Sequence, residues 1–202
     1  MALDFKKQKG FTLIELVVAT GIFLIVSTLA TGIFILNNKT QRRTQTTQQL
    51  QSELSFAFEK IAREIRFGFI YYPDFDGSLP SNTLELRDSQ GNPIIFRLDA
   101  GASCHSAEPT AKCVVMGVDL NADGMLQDAE FTSLTTPDVM VHELRFYVFP
   151  TSDPFVDVSG FYSINNQPEV TLVLKASNVT TQIHERQTLL LQTTIVSRAY
   201  ER

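Results

Sequence analysis

The chain of 202 residues contains no tryptophan, only two cysteines, and no proline before Pro73. Proline removes a backbone donor and breaks helices, so its absence leaves the whole stretch before Pro73 open to one continuous helix. Charge is missing too: from Leu16 to Leu36 there are 21 residues without an acid or a base. Basic residues are scarce in the distal part. Residues 69–202 carry 17 acidic side chains against 8 basic ones, a balance of −9 within a net charge of −5 for the whole chain. Such a surface repels phosphate backbones, so no nucleic-acid partner is expected, and cations suit it better. His105, His142 and His184 are scattered, with no Glu or Ser at a motif spacing. With no nucleophile–base arrangement and no phosphate-binding loop, no enzymatic activity is expected. The length allows one domain or at most two small ones, and there is no internal repeat.

The uncharged stretch has the dimensions of a membrane span. Its 21 residues would make a helix of roughly 32 Å at 1.5 Å per residue, enough to cross a hydrocarbon core. Before it stands a short leader, Met1–Gly10, holding Lys6, Lys7 and Lys9 and no apolar run of its own. At the junction sits Glu15, where an ionised carboxylate costs on the order of 2–4 kcal/mol unless partnered. A secretory signal peptide, cleaved near Ala30, would explain the basic start, but its apolar region is usually shorter and excludes acids. A plain signal anchor has no use for the acid. Charge bias does not orient the segment, since Lys39, Arg42 and Arg43 on one flank match the three leader lysines on the other.

The string Lys-Gly-Phe-Thr-Leu-Ile-Glu at residues 9–15 decides between these readings. It resembles the class III signal of type IV prepilins and type II secretion pseudopilins. That resemblance implies cleavage by a membrane peptidase after Gly10 and methylation of the new N-terminus, Phe11. It also implies that Glu15 pairs with a neighbouring subunit's N-terminal ammonium during assembly. Implied partners are the prepilin peptidase, the inner-membrane assembly platform, other pilin or pseudopilin subunits, and membrane lipid along residues 11–36. The implied location is a single-pass inner-membrane protein with its leader in the cytoplasm and its head outside, passing into a filament.

Past the membrane span the periodicity changes twice. Lys39–Gln49 has no apolar residue, and then Leu50, Leu54, Ala57, Ile61 and Ile65 form a stripe at spacings of 4, 3, 4 and 4. That is one face of an amphipathic helix, expected to pack on a sheet. One helix is therefore expected from Phe11 to Gly68, with Gly68 a plausible stop and Gly21 and Gly32 its weak points. After Pro73 the pattern becomes period two. Thr83–Arg87 and Ile94–Leu98 flank a turn sequence and read as a hairpin, with further strands at Val114–Val118, Val139–Phe149, Val170–Ala176 and Leu189–Ser197. The expected fold is α+β and type IV pilin-like, with a long helix on a mainly antiparallel sheet. Its parts are a leader (1–10), a transmembrane and assembly helix (11–36), an amphipathic helix (37–68) and a β-rich head (69–202). Gln51–Gly68 and Leu191–Arg198 are similar to the helix end and last strand of W-type minor pilins and J-type minor pseudopilins. Glu15 separates the chain from the capping K-type pseudopilin, which typically lacks that acid.

Two features of the head carry chemistry. Residues 119–130 fit the calcium-loop template D-x-N-x-D-G-x₅-E. Asp119, Asn121 and Asp123 would supply side-chain oxygens, Met125 a carbonyl, Gln127 an oxygen directly or through water, and Glu130 a bidentate carboxylate for Ca²⁺. The flanks do not read as EF-hand helices, so this would be the loop alone between strands, and the alternative is a solvated Asx-rich turn. Cys104 and Cys113 lie nine positions apart, and in an exported head a disulfide is the expected state. A zinc site lacks a second Cys pair. Asn178-Val-Thr180 matches a glycosylation sequon and carries little weight. The sequence thus reads as a minor pilin or pseudopilin, a non-enzymatic structural subunit. The alternatives are a tip adhesin or DNA-uptake pilin, and a membrane-tethered calcium module that never polymerises.

Overall fold

The computed structural model describes residues 10–73, 79–100, 104, 111–119, 121, 124–155, 157–158, 161–162, 166–180 and 186–198. The leader residues 1–9, Asp123, His105 and His184 lie outside the described residues. The chain divides into two compact units, Met1–Gln45 and Thr46–Arg202.

Helix α1 runs over Leu13–Phe67, 55 residues without a break at Gly21 or Gly32. In the first unit its side chains meet solvent on all sides, and Phe11, Leu13, Phe23, Leu29 and Leu36 are all highly exposed. Among the described residues this is the one helix long and apolar enough to cross a membrane. Several of its threonine hydroxyls are satisfied within it. Thr20, Thr28, Thr31 and Thr40 each donate to the carbonyl four residues earlier, at 2.9, 2.6, 2.8 and 3.0 Å. Threonines bonded in this way carry little of the desolvation cost that an unpartnered hydroxyl would have in hydrocarbon.

In the second unit α1 becomes one-sided. Leu50, Leu54, Ala57, Ile61 and Ile65 are its buried residues, the stripe that the sequence spacing predicts. Two antiparallel sheets complete the unit. The first has five strands in chain order: β1 (Phe69–Ile70), β2 (Thr83–Arg87), β3 (Pro93–Asp99), β4 (Cys113–Val118) and β5 (Phe131–Ser133). The second is ordered β10-β9-β6, from β6 (Val139–Phe149), β9 (Glu169–Asn178) and β10 (Thr188–Val196). A two-stranded pair, β7 (Asp157–Val158) and β8 (Phe161–Tyr162), stands apart from them. Backbone bonds exchanged between Ser81 and Phe146, at 2.9 and 2.8 Å, join the segment before β2 to β6.

Alternation decides which side chains go inward. Leu84 and Leu86 of β2, Leu144, Phe146 and Val148 of β6, and Val170, Leu172 and Leu174 of β9 join the helix stripe in one core. The result is an α+β fold of one long N-terminal apolar helix with antiparallel sheets, consistent with a type IV pilin-like fold. All six longer strands match the expected ones within a few residues. The very short β1, β5, β7 and β8 were not expected, because two or three residues carry no readable alternation. Gly68 ends the helix for a reason the sequence does not show. A Cβ there would stand 2.8 Å from the Glu64 carbonyl oxygen and 3.1 Å from that of Arg87, so the residue marks a close backbone approach.

Candidate functional site

The loop after β4 is built around a buried acid. Asp119 is only 5% exposed, and its own amide donates to the Pro93 carbonyl at 3.4 Å. Its Oδ2 accepts the Gly124 amide at 2.8 Å. Gly124 has φ of +80°, the left-handed turn that the sixth position of the calcium template requires of a glycine. The loop closes in a short 3₁₀ turn, Asp128–Glu130, where the Glu130 carboxylate accepts the Gln127 amide at 2.9 Å. Asp119, Asn121, Met125, Gln127 and Glu130 lie among the described residues, whereas Asp123 does not. Among the described residues, no three His, Cys, Asp or Glu side chains come together as a metal-holding group. The donors at the template positions are all oxygens, which suits a hard cation such as Ca²⁺.

Beside the loop lies a small satellite core. Cys104 and Cys113 are bonded, with Cα atoms 5.4 Å apart, and both are buried with Val115. Phe131, the residue after Glu130, packs against this cluster. Its ring occupies the space a side chain at Gly117 would need, since a Cβ there would lie 2.7 Å from the ring. The Arg97 guanidinium sits 4.0 Å over the ring centroid and within 3.8 Å of Asp128. No sequence signal connected Arg97 or Phe131 with the loop, because the link runs across strands.

His142 stands at a bulge in the β6–β9 register, between Val141 and Glu143, and its Nε2 lies 2.8 Å from Ser177 Oγ. This is a serine–histidine contact, but Ser177 is fully buried and offers no nucleophile to a substrate. Partial burial lowers the His142 pKa, helped by the charges of Lys175 and Arg186. The pair is best read as the packing of a bulge. The sequon asparagine is likewise engaged, since Asn178 Oδ1 accepts the Gln187 amide at 2.6 Å.

The beginning of α1 is a reciprocal cap. The Thr12 amide and hydroxyl both donate to Glu15 Oε2 at 2.9 Å, and the Glu15 amide reaches back to Thr12 Oγ1 at 3.4 Å. This is a capping box, with Thr at the N-cap and Glu at the third helical position, satisfying amides that a helix start leaves unpaired. The spacing Thr-x-x-Glu is a capping-box signature visible in the sequence itself. Gly10 and Phe11 precede the cap in exposed, non-helical backbone. Glu15 shares an open groove along the helix with Phe11, Leu16, Ala19, Thr20 and Phe23.

Residues 5–31 match the prokaryotic N-terminal methylation motif. This is the type IV prepilin-like signature, and it spans the leader's end, the cap and most of the apolar stretch. No curated protein and no solved structure matches the chain. The methylation motif supports a type IV pilin- or pseudopilin-type protein, and it implies processing by a prepilin peptidase and assembly with other pilin subunits. Together with the exposed apolar helix it fits membrane anchoring and a place in a filament. The signature is that of structural pilin-like proteins.

Proposed function

We propose that this chain is a minor type IV pilin or pseudopilin, cleaved after Gly10, methylated on Phe11 and joined to its filament through Glu15. The observation that carries this reading is the methylation motif at residues 5–31, leading into a helix whose apolar side chains stay exposed on every side as far as Leu36. A monomer that exposes so much apolar surface requires lipid or other subunits around it. Within that surface Glu15 is the one acid, held by Thr12 and lining the groove that Phe11 shares. The leader stays cytoplasmic and the head is exported, which the Cys104–Cys113 bond supports, since disulfides persist in oxidising compartments. Mass spectrometry of the membrane-extracted protein should give residues 11–202 with one added methyl. An N-terminus near residue 31 would instead mean a conventional signal peptide and remove the basis for assembly. Glu15→Ala should leave membrane insertion intact, because a costly acid is removed, while co-purification with other pilin subunits falls. Unchanged co-purification would make Glu15 incidental.

The loop of residues 119–130 adds a second proposal, calcium binding by the head. It is supported by the buried Asp119 and by the left-handed Gly124 whose amide it holds. Extracellular sites of this kind bind at about 10⁻⁴–10⁻³ M, so about 10 mM calcium should stabilise the head by roughly 1.5–3 kcal/mol. Thermal melts in calcium and in chelator measure this, with Asp119→Ala and Glu130→Ala expected not to respond. Identical wild-type melts would leave a polar turn and nothing more.

A further inference from the structure

The two ends of the 119–130 loop lead back to the same place. Asp119 follows β4 directly, and β4 begins at Cys113, one half of the disulfide. Glu130 precedes Phe131, whose ring packs on the cluster of Cys104, Cys113 and Val115. Gly117, on β4 between those points, leaves the space the ring fills, and a Cβ there would stand 2.7 Å away. Arg97 closes the arrangement from β3, with its guanidinium over the Phe131 ring at 4.0 Å and 3.8 Å from Asp128 within the loop. A loop that must bring oxygens from both its ends to one point binds more tightly when those ends are already held.

We propose that the Cys104–Cys113 disulfide sets the cation affinity of the 119–130 loop, by fixing through β4 and Phe131 the separation of Asp119 from Glu130. This rests on the calcium reading of that loop given above. Calcium in turn favours the conformation in which the knot of Cys104, Cys113 and Phe131 is packed, since coupling between two events is reciprocal. Phe131 and Arg97 act as positioning residues, with no contact to the ion required of either.

The test uses the head, residues 46–202, which form a compact unit holding the whole of the main core. Calcium chloride is titrated calorimetrically into the wild type and into Cys104→Ser/Cys113→Ser, with far-UV circular dichroism to check the fold. The double variant should keep its strands and bind calcium roughly tenfold more weakly, within the usual range of coupling between sites. Equal dissociation constants in the two proteins would overturn the proposal. Should the double variant fail to fold, Arg97→Gln and Gly117→Ala keep the disulfide and decide the question in its place. Both should weaken binding, and wild-type affinity in both would be fatal to the idea. Amide exchange in chelator separates this inference from the reading beneath it. The Gly124, Gln127 and Glu130 amides are bonded within the loop and should lose protection when the knot is disrupted. Lost protection with no calcium heat in the wild type would sink the calcium reading, and the affinity claim with it, while leaving the knot as the loop's anchor. Unchanged protection would show that the knot does not hold the loop at all.

Discussion

One helix, α1, has two unlike halves. From Leu13 to Gln45 its apolar side chains point every way and none is buried, whereas from Thr46 to Phe67 five residues on one face are buried and the rest meet solvent. The backbone is the same in both. The difference lies in the sequence period: an unbroken apolar run has no preferred face, while Leu50, Leu54, Ala57, Ile61 and Ile65 have one. The second half has found its partner within the chain, in the strands of the head. The first half has none there, and its partner must come from outside, as lipid or as other subunits. A helix can thus be divided by function from its pattern alone, without any break in its hydrogen bonding.

The sharpest way to break this comparison is to cut a side chain from each half. Leu54 is fully buried in the main core, and Leu54→Ala should cost about 2–5 kcal/mol of head stability. Leu24→Ala, in the exposed half, should leave the head's unfolding unchanged. Urea unfolding of the full chain in detergent, followed by head circular dichroism, measures both. A large effect at Leu24 or none at Leu54 would mean the two halves do not differ in the way their burial indicates.

The end of the second half is the next most sensitive point. Gly68→Ala places a Cβ 2.8 Å from the Glu64 carbonyl oxygen and 3.1 Å from that of Arg87, both backbone atoms that cannot swing away. Overpacking of this kind should cost about 1–3 kcal/mol, again by urea unfolding. A neutral outcome would show that Gly68 only stops the helix and that the approach of β2 tolerates a methyl group.

What could be read before the fold was known follows from which interactions are local. The helix stripe and the six longer strands depend on periods of 3.6 and 2, and those are written in consecutive residues. The Thr12–Glu15 cap is equally local and legible as Thr-x-x-Glu, so Glu15 has a role within the monomer's own helix start as well as the assembly role its position implies. The Phe131–Arg97 contact and the His142–Ser177 bond were not legible. Phe131 and Arg97 lie on β5 and β3, strands that do not pair with each other, and Ser177 meets His142 only because β6 bulges between Val141 and Glu143. The loop lies between these cases. Its template is local and Gly124 adopts the turn that template needs, while the clamp on its ends depends on β4 and Phe131 packing together.

At the start of the first half, Thr12→Ala removes the hydroxyl that caps the Glu15 amide and one of two donors to its carboxylate. The expected loss is about 1 kcal/mol of helix-start stability. It should appear as faster amide exchange at Leu13–Glu15 in micelles, with no change in the head. Thr12→Ser should restore protection because it keeps the oxygen. Equal exchange in all three proteins would mean that the surrounding apolar helix, and not the cap, holds the first turn.

The smallest effect belongs to the head alone and depends on pH. Burial, with the like charges of Lys175 and Arg186, lowers the His142 pKa below its ordinary 6.5. The unfolded chain therefore binds the proton more readily than the folded one. The stability contribution is fully present above about 6.5 and is lost as pH falls through the lower, folded value. Protonation also turns Nε2 into an obligate donor, so the contact with Ser177 survives only if the hydroxyl accepts. Urea midpoints of the head taken from about pH 8 down to about pH 5 should decline for the wild type and decline less for His142→Gln, which cannot take up a proton. Both proteins share the titration of Asp88, whose pKa burial raises but the amides of Asn92 and Gln90 and the Asn92 side chain lower more strongly. Its loss begins below the ordinary 3.8, outside this window. Parallel curves for wild type and variant would show that the bulge accommodates the charged ring, and that Ser177 holds its place through the buried strand β9 without help from His142.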